Sequence, residues 1–193
     1  MRLGSPLTQT WDSPDGWVAT LQDRAFRAAY WPLGDDADPG TVRAYADAVE
    51  PQRTFYSLEP MPWTLPDSAD SYLELMEATD RPRFAVHFDS TNLINTPAKF
   101  YANGAFLRQC FAKLGPHIKC CHAKDITLAN ELTVHLAEAI PGRGSLDFRV
   151  LLEEMDRLDP DTPILVEHLT HDWEYAEAAA HIRGVAESLG LKT

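Results

Sequence analysis

Four side chains able to ligate a metal recur along the chain at the spacing of a repeating unit. Glu59 in Ser57-Leu58-Glu59-Pro60, Asp89 in His87-Phe88-Asp89, His122 in Cys120-Cys121-His122 and Glu167 in Val166-Glu167-His168 each close a short, largely apolar run, at intervals of 30, 33 and 45 residues. A strand-helix-strand unit takes about 30 residues. The four therefore fall at equivalent ends of successive strands, and a closed or strongly curved parallel sheet brings those ends together. Three carboxylates and one imidazole are mostly hard oxygen donors, which favours Mn²⁺ or Mg²⁺ and also admits Zn²⁺. The cation would supply the charge that lets three carboxylates approach one another. Taken singly, a strand-end acid is more often a solvated loop residue or a helix cap. The argument for a metal site lies in the set of four.

Other residues near these strand ends are candidates for binding a substrate, each with a plainer alternative. His87 shares a strand face with Asp89 and serves as an inner-shell or substrate residue, or as a packed core histidine. Asn92 donates to a substrate hydroxyl or holds its own turn. Lys124 and Asp125 lie two and three residues past His122; the lysine meets a substrate oxygen or phosphate, or bridges the neighbouring acids. Arg143, in Pro141-Gly142-Arg143-Gly144, binds an anion with the loop amides, or the loop is a turn ahead of a capped helix. His135 and Glu138 lie on the same excursion and suit a lid. Strand alternation turns His168 away from Glu167, or else it begins the next loop.

The elements that must position these groups alternate between short apolar runs and longer amphipathic ones. Six strands are expected: Arg2 to Pro6, Arg27 to Trp31, Thr54 to Glu59, Phe84 to Asp89, Ile118 to His122 and Pro163 to Glu167. Between them, spacings such as Tyr72, Leu75, Met76 and Phe148, Leu151, Leu152, Met155 predict helices that cover a sheet. Ser145 or Asp147 caps a helix running to about Leu158, and the last helix spans about Asp172 to Leu189 with Gly190 as its stop. Strands that alternate with helices imply a parallel sheet. No glycine-rich turn follows the first strand, as a dinucleotide-binding sheet would require. Functional side chains at several strand ends are instead the habit of a barrel.

Composition removes several classes of function. The 193 residues carry 17 Lys+Arg against 29 Asp+Glu, a net charge of −12, and no basic patch offsets the repulsion of a phosphate backbone, so nucleic acid is not an expected partner. No run approaches the roughly 18 apolar residues of a membrane span, and Met1 to Pro6 does not resemble a secretory leader. Cys110, Cys120 and Cys121 do not form a disulfide framework, which suits a reducing compartment. A cytoplasmic protein is expected.

Taken together, Leu58-Glu59-Pro60, His87-Phe88-Asp89 with Asn92, His122-Ala123-Lys124-Asp125, Pro141-Gly142-Arg143-Gly144 with Leu146-Asp147-Phe148, and Val166-Glu167-His168 resemble the sugar phosphate isomerase/epimerase family. These are the xylose-isomerase-like TIM barrels, and the resemblance covers the C-terminal half of that fold, from Thr54 to Leu189. It implies a divalent ion on Glu59, Asp89, His122 and Glu167, with Glu59 and Glu167 also acting as the catalytic acid/base pair. It further implies a small sugar or sugar acid as substrate and an isomerisation or epimerisation by proton transfer beside a chelated carbonyl. A keto-inositol dehydratase and a shortened, non-catalytic metal-binding barrel are the alternatives. A complete barrel of this kind takes about 250 residues. Here the helix near Thr41 to Glu50 leads straight into the strand ending at Glu59, so the third and fourth strand-helix units are absent. The expectation is one domain over residues 1–193, an incomplete TIM-like barrel of about six parallel strands shortened near residue 50. Its exposed edges would favour a homo-oligomer.

Overall fold

The computed structural model describes residues 4–6, 15, 16, 18, 19, 28–30, 38–52 and 54–192. Among the described residues six parallel strands are present, in two sheets. Strands β1 (Gly4–Pro6) and β2 (Ala28–Tyr30) form a parallel pair. Strands β3 (Tyr56–Leu58), β4 (Phe84–Asp89), β5 (Ile118–His122) and the two-residue Ile164–Leu165 form a parallel sheet in that order. Among the described residues no ladder joins the two sheets. The parallel strands with their outer helices form an incomplete α/β barrel. Arg2, Leu3, Arg27 and Trp31, at the margins of the first two expected strands, lie outside the described residues.

Local sequence explains how each strand end is set. Helix α1 (Pro39–Val49) starts on Asp38, whose carboxylate accepts from the Gly40 and Thr41 amides, with proline just inside the start. Helix α2 (Ala69–Thr79) begins with a reciprocal cap between Ser68 and Ser71. Its buried Tyr72 puts its hydroxyl against the carbonyls of Leu58 and Ala85, tying the end of β3 to β4. Strand β4 is buried along its whole length, as a central parallel strand with covered faces should be. It is followed directly by the short helix α3 (Ser90–Leu93), then α4 (Pro97–Tyr101) and α5 (Asn103–Leu114). Leu107, Cys110, Phe111 and Leu114 form the buried stripe of α5, and Phe111 meets Phe88 edge to face at 4.9 Å between ring centres.

An antiparallel hairpin that the periodicity did not announce follows β5. Strands β6 (Asp125–Leu128) and β7 (Leu136–Ala139) pair Asp125 with Ala139 and Leu128 with Leu136. The chain then enters helix α6 (Phe148–Met155), capped by Asp147 through the Val150 amide. This helix stops short of the expected Leu158. The pair Ile164–Leu165 is strand β8, shorter than the expected Pro163 to Glu167, because only β5 pairs with it among the described residues. Helix α7 (Asp172–Leu189) ends on Gly190 at φ 73°, in agreement with the sequence reading. No helix of the described residues is long and apolar enough to cross a membrane.

Candidate metal centre

Register brings the four spaced residues to one place. Asp89 and His122 are direct partners in the β4–β5 ladder, after a register shift between Val86 and His87. Glu59 follows the last residue of β3, and Glu167 lies two residues past the end of β8. The Nδ1 atom of His122 is 3.0 Å from Glu59 Oε1, 3.3 Å from Asp89 Oδ2 and 3.0 Å from Glu167 Oε1. One ligand atom from each of the four lies within 4.8 Å of every other. Three carboxylates and one imidazole brought this close form a donor set whose chemistry fits a divalent cation.

Charge supports the same conclusion. Asp89 and His122 are buried and Glu59 and Glu167 nearly so, while one ammonium, that of Lys124, sits among them. Its Nζ is 2.8 Å from Asp89 Oδ2, 2.6 Å from Glu167 Oε1 and 3.7 Å from Glu59 Oε1. Three carboxylates against one ammonium leave an excess of negative charge that a divalent cation would cancel. Without the cation a proton takes part of that role. Burial works against a charge on His122, but its hydrogen bonds to Asp89, Glu167 and Glu59 win and push its pKa up to about 12.

The carboxylates do not respond alike. Burial pushes Glu59 up, opposed by its hydrogen bond to His122. Burial also acts on Glu167, yet His122 and Lys124 together hold it down to about 2. Asp89 resists burial in the same way and stays well below the usual carboxylate range. His87 stands edge-on to the His122 ring at 4.0 Å, and burial, helped by repulsion from His122, lowers its pKa to about 3. It is thus a neutral imidazole lining the cluster, and it forms a second close set with Glu59 and His122.

The remaining sequence candidates separate. Asn92 does two things: its amide donates to Asp89 Oδ1 at 3.0 Å, and its side-chain nitrogen donates to Glu59 Oε1 at 3.1 Å. Asp125 does not join the cluster's hydrogen bonds. Its carboxylate accepts from the amides of Ile126, Gly142, Gly144 and Leu146, which ties β6 to the loop ahead of α6. A side chain at Gly144 would put its Cβ 2.3 Å from Asp125 Oδ1, so glycine is required there. Arg143 turns outward to pair with Glu177 at 2.6 Å and stacks over Trp173. His168 differs from the alternation rule. With φ 58° it rotates back, placing Nε2 3.5 Å from Glu167 Oε1 and Nδ1 3.0 Å from Glu138 Oε2. Glu138 also accepts from Lys124 at 3.1 Å. His168 and Glu138 thus edge the site, a position visible only once the hairpin and the left-handed turn are known.

Known proteins place this scaffold. The family model described as xylose isomerase-like TIM barrel matches residues 41–189. Among solved structures, the xylose isomerase domain protein from Planctomyces limnophilus superposes with a TM-score of 0.66 at 17% identity, over 92% of this chain and 66% of that one. A xylose isomerase-like TIM barrel protein from Mycobacterium smegmatis, in complex with magnesium, gives 0.60 at 17% identity over 96% and 60%. D-psicose 3-epimerase from Clostridium cellulolyticum H10, with D-tagatose, gives 0.61 at 14% over 89% and 68%. The chain therefore spans less than two thirds of the first two. Such identities speak to the fold. No curated protein matches the sequence significantly. The parallel strands, their outer helices and a family match over most of the residues lead to one assignment: the chain belongs to the xylose isomerase-like TIM barrel family.

Proposed function

We propose that the protein is a divalent-metal-dependent isomerase or epimerase of a small sugar, working by proton transfer beside the substrate carbonyl. The convergence of Glu59, Asp89, His122 and Glu167 within 4.8 Å carries this reading. Those four residues would hold the ion, Mn²⁺ or Mg²⁺ by the oxygen-rich donor set. A cation held there would supply Lewis-acid polarisation of a substrate carbonyl and so favour loss of a proton from the adjacent carbon.

The chain's own groups handle the proton. Glu59 and Glu167 would move it, and their settings already differ in the metal-free protein, where His122 and Lys124 hold Glu167 low against burial while burial pushes Glu59 up. Two carboxyls driven apart in this way are suited to removing a proton on one side and returning it on the other. Asn92 fixes Glu59 through its side-chain nitrogen, and neutral His87 borders the reacting space without adding charge. Three free thiols are consistent with a cytoplasmic, reducing setting.

The test is solvent exchange. Protein loaded with Mn²⁺ is incubated in D₂O with a panel of ketoses, and deuterium is sought at the carbon beside the carbonyl. Glu167→Gln should abolish incorporation while circular dichroism is unchanged. Exchange that persists in the variant removes Glu167 from the reaction, and cation uptake with no exchange of any ketose leaves a metal-binding barrel without this activity.

A further inference from the structure

A cleft of about 190 Å³ opens beside the cluster, lined by Lys124, Glu138, Glu167, His168, Thr170 and Glu174 together with apolar residues of the same loops. Pockets for drug-sized ligands run to roughly 300–1,000 Å³, so this one admits only part of a small molecule. Proteins hold an anionic group with cations, with the amides of a tight loop, or with a helix N-terminus. Lys124 and Thr170 line this cleft, Gly142, Arg143 and Gly144 follow its lining residue Ile140 along the chain, and the chain's own carboxylates occupy the donors of each.

Lys124, with a side chain only 2% exposed, is shared among Asp89, Glu167 and Glu138 at 2.8, 2.6 and 3.1 Å. Arg143 is committed to Glu177 through two 2.6 Å hydrogen bonds. The amides of Gly142 and Gly144 both donate to Asp125 Oδ2 at 2.9 Å. At the start of α7, the amides of Thr170 and His171 donate to Glu174 Oε2 at 2.7 and 2.8 Å. A phosphate or carboxylate entering here would face Glu138, Glu167 and Glu174, with these donors already taken.

We infer that the cleft receives the hydroxyl-bearing end of an uncharged sugar and rejects one ending in phosphate or carboxylate, and that Glu138 is the residue that makes the distinction. Glu138 is the more exposed of the two carboxylates that hold Lys124 on the cleft side, and it accepts from Lys124 and His168. A carboxylate offers about four lone-pair positions, so acceptors remain for a hydroxyl donor. A phosphate brings acceptors and negative charge, which Glu138 repels. This selectivity rests on the reading that the site acts on a carbohydrate.

Binding separates the two claims, because it needs no turnover. The Mn²⁺-loaded protein is titrated calorimetrically with four- to six-carbon alditols and with their terminal monophosphates. At least one free alditol should bind about tenfold or more tighter than its phosphate. Glu138→Lys should narrow or reverse that ratio, and Glu138→Gln, which keeps an acceptor but drops the charge, should fall between. Equal or tighter binding of the phosphates by the unaltered protein, no binding of any alditol, or a ratio unmoved by both substitutions would overturn the inference. Failure of the deuterium exchange alone would overturn the proposed reaction and leave this selectivity standing.

Discussion

Two sets of buried carboxylates lie at neighbouring strand ends, and the fold treats them in opposite ways. Asp125, 1% exposed, receives four backbone amides, two on each oxygen, at 2.8 to 2.9 Å. Glu59, Asp89 and Glu167 instead crowd around one imidazole and one ammonium. The first carboxylate is fully satisfied by the chain and acts as a fastener. The second group carries more negative charge than its neighbours can match, and a protein tolerates that where a cation is to be held.

Substitutions should expose the difference in order of size. Asp125→Ala strands four buried amides and should cost roughly 4 kcal/mol or more of stability, read by denaturant unfolding; a loss under about 1 kcal/mol would mean the loop does not depend on it. Glu167→Gln should lose about 100-fold or more in Mn²⁺ affinity, and its cost to the metal-free protein, where His122 and Lys124 hold the carboxylate ionised, should stay below that of Asp125→Ala. A large stability loss in that variant would make the cluster structural and erase the contrast.

Lys124→Met is expected to divide the two properties. The ammonium contends for the same carboxylate oxygens that face His122, so its removal should tighten Mn²⁺ by about tenfold while lowering the melting temperature of the metal-free protein. Weaker binding in this variant would show that the lysine supports the cation instead. The pH dependence is about tenfold in affinity per pH unit when one proton is released. Metal-free His122, raised to about 12, is protonated at neutral pH, whereas a ligating imidazole must be neutral. Binding should release about one proton, and affinity should rise as pH rises from 6 toward 9. Calorimetry in buffers of different ionisation enthalpy reads the proton directly, and a pH-independent affinity would contradict the assignment.

The parts of the molecule that repeat locally are the ones that sequence patterns reach. Six parallel strands and the span Asp172 to Leu189 follow from runs and caps contained within a few residues. The unit spacing of Glu59, Asp89, His122 and Glu167 is visible for the same reason. What escapes depends on distant partners or on one unusual torsion. Asp125 resembles a site residue because it follows His122, yet its role is set by amides 17 to 21 positions later. Arg143 reads as an anion binder until Glu177, 34 positions on, is seen to take it. His168 violates alternation because β8 is only two residues long and φ at His168 is positive. The β6–β7 hairpin comes from two four-residue strands whose pairing no local period specifies.

The central claim is that four groups from four strand ends share a single cation. Calorimetric titration of metal-stripped protein with Mn²⁺ tests it most directly. The account predicts saturable uptake of one ion per chain, weakened about 100-fold or more by Glu167→Gln. No saturable uptake, or uptake that the substitution leaves untouched, would contradict it.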